Sequence, residues 1–333
     1  MMYLDGIAGL AYMRSLCDPR SVLDINVEVT SIAGCPSNKH ELVAELSMLP
    51  HWLPLHFIVS SKSERICKTK IVYSVFRDPL PSGSYFELSP DVAIPSPEFI
   101  FLRLASKIEF PLLVKLGCEL CGTYTPYRRV ESTRKRTPLT TVAKLTSFLE
   151  GAGNLKGIKA ARKALPFLLE GSASVKETEL ALCLSLPRRY GGYGIRKPEM
   201  NYRVDFDDAA RTIGNAAFAI ADVCWPAHRL DVEYDSLEWH SRFTEILHDK
   251  ERANALQHMG YRVVFVTWEQ FSNPMLFQEL AKDIAKITGK RLAKDDLDDP
   301  SKRAALRKTF LDSEDSIVFR DIYLHGAISA SKK

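Results

Sequence analysis

Residues 221–240 read ADVCWPAHRLDVEYDSLEWH and crowd Asp222, Asp231, Glu233 and Asp235 into one short stretch, beside Trp225, Trp239 and two histidines. Like charges repel, so such a cluster needs a cation, a solvated face, or both. The four residues Pro226–Arg229 (PAHR) read as a hairpin loop between two strands. With that loop length Trp225 faces Leu230, and counting outward sets Asp222 opposite Glu233 on one face of a sheet. Opposed Cβ atoms of an antiparallel pair lie ~4.5–5.5 Å apart. Alternation puts Asp231 and Asp235 on the face of Glu233.

The flanking sequence supplies the rest of a compact α/β unit. Ser174 and Glu177 have the S-x-x-E spacing of a capping box ahead of the apolar run LALCLSL. NYRVDF, AAFAIADVCW and RLDVEYD read as three strands. HSRFTEILHDKERANALQHMG carries Phe243, Leu247, Leu256 and Met259 at helical spacing and stops at Gly260. YRVVFVTW reads as a buried strand and NPMLFQELAKDIAKI as a closing helix. The order is helix, three strands, helix, strand, helix. A strand–helix–strand connection implies a mixed sheet with some parallel pairing.

Upstream, residues 23–32, 53–60 and 69–75 read as strands by their alternation and β-branched content. Ser96, Pro97 and Glu98 read as a helix start, and Thr137 with Pro138 as another. Residues 154–171 read as an amphipathic helix with Ile158, Ala161, Leu165 and Leu168 on one side. A boundary near residue 170 is expected. It gives a mixed β/α region with basic helices over 1–170, a mixed-sheet domain over 171–290, and a charged tail with one exposed helix over 291–333.

The chain has 333 residues, 46% hydrophobic and 26% charged, which are globular values for two domains of ordinary size. Its longest apolar runs fall well short of the ~18 residues of a membrane span, so no membrane partner is expected and the cytoplasm is the default location. Seven scattered cysteines fit thiols rather than a disulfide framework, and Cys118 with Cys121 lacks the second pair that a zinc site wants. The net charge is only +4, yet residues 101–170 are strongly basic. Their densest run, YRRVESTRKRTP, holds Arg134, Lys135 and Arg136. A basic segment beside an acidic cluster suits a nucleic-acid enzyme; it also suits a solvated basic helix.

Oxygen ligands from one or two carboxylates, with water and substrate phosphate, are what Mg²⁺ takes, so Asp222 and Glu233 are candidate ligands for Mg²⁺ or Mn²⁺. His240 can accept a proton from an attacking water, and Arg252, on the following helix, can hold a phosphate.

In SVKETELAL, ADVCWP, DVEYDSLEWH and DKERANALQHMGYRVVFVTWEQF the chain resembles the PD-(D/E)XK nuclease superfamily. More narrowly it resembles the nuclease-like domains related to very-short-patch repair endonucleases. Such domains are found at the C-terminal end of abortive-infection antitoxin- and regulator-like proteins. The resemblance covers roughly residues 170–290 and implies a restriction-endonuclease-like core. It implies that Glu177 is a helix carboxylate orienting water or a second metal, that Asp222 and Glu233 are metal ligands, and that His240 is the family histidine. Asp235 stands where many members carry a lysine, so the stabilising cation has to come from elsewhere, with Arg252 and Lys250 as candidates. Ser236 stands where a glycine commonly follows the aspartate.

The expected function is a Mg²⁺-dependent endonuclease that hydrolyses or nicks DNA, in phage defence or repair. Its basic helices, with Arg134, Lys135 and Arg136, would grip the backbone through salt-dependent contacts. The alternative is a catalytically silent nucleic-acid-binding regulator that keeps the nuclease fold, which the missing lysine favours. A third reading is an adaptor whose carboxylates form a wet sheet face. A protein partner would bind through the N-terminal region.

Overall fold

The structure is a computed structural model that describes residues 1–15, 32, 55–64, 71–126, 136–235, 243–292 and 300–311. It is mixed α/β, of the α+β kind, with two mixed sheets. The chain divides into two compact units between Leu168 and Leu169. The strand expected over 23–32 lies, Ile32 apart, outside the described residues.

In the first unit, five strands align in the order β3-β2-β1-β5-β4: β1 (Met2–Leu4), β2 (Leu55–Val59), β3 (Ile71–Val75), β4 (Tyr85–Ser89) and β5 (Val92–Pro95). The central strand β1 runs parallel to β5 and antiparallel to β2. Helix α1 (Gly6–Ser15) is buried from Gly6 to Arg14 and apolar nearly all round, as an interior helix must be. Gly9 lets it lie close to the sheet, because a Cβ there would stand 2.3 Å from Cγ of Pro95. Helix α2 (Pro97–Leu104) starts as the sequence predicts: the Ser96 hydroxyl accepts from the Phe99 amide at 3.1 Å, with Pro97 in the first turn.

Two helix starts differ from expectation. After α3 (Phe110–Leu120), the amides of Leu139 and Thr140 both donate to the Leu120 carbonyl, which pins this segment to the end of α3. Helix α4 (Val142–Gly151) is therefore capped by Thr141, four residues after Thr137. The helix expected over 154–171 shrinks to α5 (Ile158–Ala164), entered through Gly157 at φ 97° and ended by a 3₁₀ turn at Leu165–Phe167. Pro166 lacks the amide that would continue it.

The second unit, Leu169–Glu314, opens with α6 (Val175–Ser185). Its sheet has the order β6-β7-β8-β9, formed by β6 (Glu199–Asp205), β7 (Phe218–Trp225), β8 (Leu230–Asp235) and β9 (Arg262–Thr267). β7 pairs antiparallel with β6 and β8, and β8 pairs parallel with β9 through α8 (Phe243–His258). A short helix not expected from the sequence, α7 (Asp208–Gly214), is capped by Asp207 and sits between β6 and β7. It packs on α8 where Gly214 faces Ala255; a Cβ at Gly214 would lie 2.8 Å from that of Ala255. Val204, Phe206, Ala210, Ala219, Ala255 and Leu256 fill the core there.

Past β9 come α9 (Trp268–Ser272), α10 (Pro274–Ile287) and α11 (Pro300–Leu311). The sequence suggests an exposed helix in a charged tail for the last of these. Instead Arg303, Leu306, Arg307 and Phe310, at helical spacing, are buried. Arg307 lies over the Phe277 ring at 4.7 Å and donates to the Phe271 carbonyl, so α11 is part of the second unit.

Buried charge in the first unit is matched. Glu119 on α3 receives Arg14 through two bonds of 2.8 and 2.7 Å. Burial by itself would raise the Glu119 pKa, but the Arg14 and Arg136 guanidiniums outweigh it and hold the carboxyl below its usual range. Removing one member of a buried ion pair typically costs about 3–5 kcal/mol. Glu119→Ala is expected to destabilise the first unit by about that much in urea unfolding, and Glu119→Asp by less.

Candidate functional site

The site grows out of the Pro226–Arg229 loop. Pro226–His228 form a 3₁₀ turn, and Arg229 closes it in the left-handed region at φ 45°, ψ 46°. The Arg229 carbonyl accepts from the Arg262 amide at 2.7 Å and its guanidinium donates to the Met259 carbonyl at 3.1 Å, which holds this costly conformation. With four residues in the loop, Trp225 pairs with Leu230, Cys224 with Asp231 and Val223 with Val232. This is the predicted register.

Asp222 is the next residue along β7, just beyond the last paired residue, Val223. Its carboxylate accepts from the Tyr234 amide at 3.3 Å, so it stands in the position that a strand-to-strand bond would otherwise fill. Asp231 and Glu233 lie two apart on β8 and interact with each other. Both are buried, Asp231 completely. Asp231 has the Val232 amide beside it and shares a carboxyl–carboxyl hydrogen bond with Glu233, and Glu233 Oε2 has one cationic partner besides. That partner is Arg252 of α8, whose Nη2 stands 2.9 Å from Glu233 Oε2 and 3.6 Å from Asp249. Burial would lower the Arg252 pKa, but the surrounding carboxylates, Glu233 foremost, raise it.

Two buried acids and the half-buried Asp222 thus share one guanidinium, and the balance falls against ionisation. Burial, then the charges of Glu233 and Glu177, push the Asp222 pKa up to about 8. Burial and Asp231 push Glu233 up to about 9, against the pull of Arg252. Burial raises Asp231 to about 6. Cys224, across from Asp231, is raised by burial and by that same charge.

Glu177 comes from α6. Ser174 caps the helix by accepting from the Glu177 amide at 3.1 Å. The Glu177 carboxylate returns to the Ala173 amide at 3.0 Å, one residue short of a capping box, and also accepts from Asn201 Nδ2 at 2.9 Å. Its charge bears on Asp222, so helix and strand carboxylates share one neighbourhood. Asn201 was not singled out from the sequence. It sits inside β6 at φ 49°, across from Asp222 in the β6–β7 register. An asparagine in a strand interior was the available signal, since asparagine is depleted in strands and tolerates left-handed backbone.

Other candidates fall away from this cluster. Asp235 is half-buried, and its charge registers on Tyr234 rather than on Asp222 or Glu233. Lys250 is exposed on α8 and makes no bond to the carboxylates. Arg136 corrects the expectation of a nucleic-acid contact: it is 5% exposed and donates to the Glu119 carbonyl at 2.9 Å. Its charge is spent inside the first unit. His240, Ser236, Arg134 and Lys135 lie outside the described residues. Among the described residues no three His, Cys, Asp or Glu side chains converge as a metal cage does. The donors at hand are sparser: the Asp222 and Glu233 carboxylates, with Asp231 beside Glu233.

The raised acids set a pH dependence. Carboxyls of an unfolded chain titrate near pH ~4, whereas Asp222 and Glu233 keep their protons to about 8 and 9. Between those limits the folded chain holds more protons than the unfolded one, so stability falls as pH rises through this window. Asp222→Asn is expected to raise the melting temperature of the second unit by several degrees at pH ~8, to change it little at pH ~4, and to flatten the slope between. Scanning calorimetry across pH checks this.

No family model matches the chain, and no solved structure matches it. It is 34% identical over 109 residues to the uncharacterized protein MT2308 of Mycobacterium tuberculosis (strain CDC 1551 / Oshkosh). The same holds for the uncharacterized protein Rv2248 of Mycobacterium tuberculosis (strain ATCC 25618 / H37Rv), again 34% over 109 residues. The match takes in 33% of this chain and spans 35% of each relative, so the chain spans about a third of the length of the curated relatives it matches.

Proposed function

We propose that the second unit is a metal-dependent endonuclease-like module that hydrolyses or nicks phosphodiester bonds of DNA. The supporting observation is a trio, buried Asp231 and Glu233 with half-buried Asp222, that has a single guanidinium, Arg252, set against it. Such an excess of buried carboxylate is costly unless it is protonated or faces a cation. Asp222 and Glu233 would hold Mg²⁺ or Mn²⁺, with the remaining positions left to water and a substrate phosphate. A hard divalent cation there supplies Lewis-acid stabilisation of phosphoryl charge and a lowered pKa for water. Glu177, fixed by Ala173 and Asn201, orients water beside Asp222. Arg252, now paired with Glu233, would supply to a phosphate the positive charge that Asp235 lacks.

One observation favours the alternative, a silent nucleic-acid-binding regulator. The Arg252–Glu233 ion pair at 2.9 Å already satisfies one ligand oxygen from within the chain. In that reading Arg252 is a permanent replacement for the cation.

Calorimetric titration of Mn²⁺ beside a plasmid-nicking assay separates the two. The nuclease reading expects Mn²⁺ binding by the wild type, at least tenfold weaker binding by Asp222→Asn, and loss of nicking in that variant. Salt-sensitive DNA binding without Mn²⁺ uptake or nicking supports the regulator. Neither Mn²⁺ nor DNA binding overturns both.

A further inference from the structure

The first unit contains a cavity of about 400 Å³ that the nuclease reading does not use. This is within the range of small-ligand pockets, about 300–1,000 Å³. It lies where the chain leaves β3, at Phe76–Asp78, beside α2 and the segment ahead of α5 at Leu155 and Lys156. Four cationic side chains line it, Lys62, Arg77, Arg103 and Lys156, against one carboxylate, Asp78.

Arg103 is built in. Asp5 is completely buried and takes Nε and Nη2 of Arg103 at 2.9 and 3.1 Å. Asp5 also accepts from Lys107 at 3.0 Å, from Ser74 at 2.9 Å and from the Gly6 amide at 2.7 Å. This fixes the guanidinium, which also lies 5.3 Å from the centre of the Phe76 ring. Its third nitrogen, Nη1, has no hydrogen-bond partner among the described residues. Lys62, Arg77 and Lys156 make no ion pair among the described residues. Three unpaired cations against one carboxylate leave an excess of two positive charges, which matches a dianion. Three surface cations held near one another repel, so their convergence favours an anion between them.

The rest of the lining is apolar. Val75 and Leu155 are half-buried and the edge of Phe76 reaches the cavity, while Phe99, edge to face with Phe76 at 5.8 Å, and Leu102 are sealed beneath. A bare inorganic ion makes no use of such an apolar wall; an organic group does.

We propose that this cavity binds an organic phosphate of mononucleotide type, its phosphate among Arg77, Arg103, Lys62 and Lys156 and its ring against the apolar wall of Val75, Leu155 and the Phe76 edge. The test is calorimetric titration of the full chain at physiological salt with three probes: adenosine 5′-monophosphate, adenosine and inorganic phosphate. The expected result is binding of the monophosphate at least tenfold tighter than of either fragment. Arg77→Ala/Lys156→Ala removes two exposed side chains and should weaken the monophosphate at least tenfold with an unchanged melting temperature. Should that variant be unstable, Lys62→Gln should weaken it severalfold alone. Phosphate binding as tightly as the monophosphate, no binding of the monophosphate, or equal binding in the variants overturns the proposal.

Discussion

A four-residue turn in one hairpin decides where negative charge is buried in the second unit. Because Arg229 accepts a left-handed backbone, Trp225 meets Leu230, and every later position on β7 and β8 is fixed by that meeting. A register slip of one residue would turn the acids of β8 to the other side of the sheet. In the register observed, Asp222 arrives where the ladder ends, with Glu233 and Glu177 in electrostatic reach and Asp231 below. The apolar face of the same strands, with Val223, Trp225, Leu230 and Val232 buried, holds the hairpin in place. Packing on those residues thus sustains an arrangement that the acids alone would push apart.

The two units handle buried charge in opposite ways. In the first, Asp5 faces Arg103 and Lys107, and Glu119 faces Arg14 and Arg136; each acid is held ionised by more than one cation. In the second, three acids share Arg252, and their pKa values rise instead. A matched network resists change, because removing any member strands a charge. An unmatched one is poised to exchange protons for another cation. That asymmetry, more than the count of acids, is what distinguishes the second unit from the first.

Much of this was legible in the sequence. Loop length, strand alternation and the Ser174 cap depend on local chemistry, and local chemistry set Asp222 opposite Glu233; Glu177 joined them only through the family resemblance. The helix start at Ser96–Pro97 was legible for the same reason. Features set by tertiary partners were not. Arg136 reads as one of several basic residues in a run until Glu119 is seen beneath it. Thr137–Pro138 offers a cap that Thr141 takes, because Leu120 claims the intervening amides. The helix at Pro300–Leu311 carries its apolar spacing in plain view, but abundant charge masked it, since two of its four buried residues are arginines. Asn201 needs the Glu177 carboxylate to give its backbone geometry a purpose.

The most direct test of this account is the coupling energy between Asp222 and Glu233. It is measured by urea unfolding of Asp222→Asn, Glu233→Gln and the double variant at pH ~9, without divalent cations. Groups that repel across one gap give a double variant less stabilised than the sum of the singles, by about 0.5–3 kcal/mol. Additivity within about 0.3–0.5 kcal/mol would mean that the two acids do not feel each other. The cation cradle, and the function built on it, would then have no physical basis.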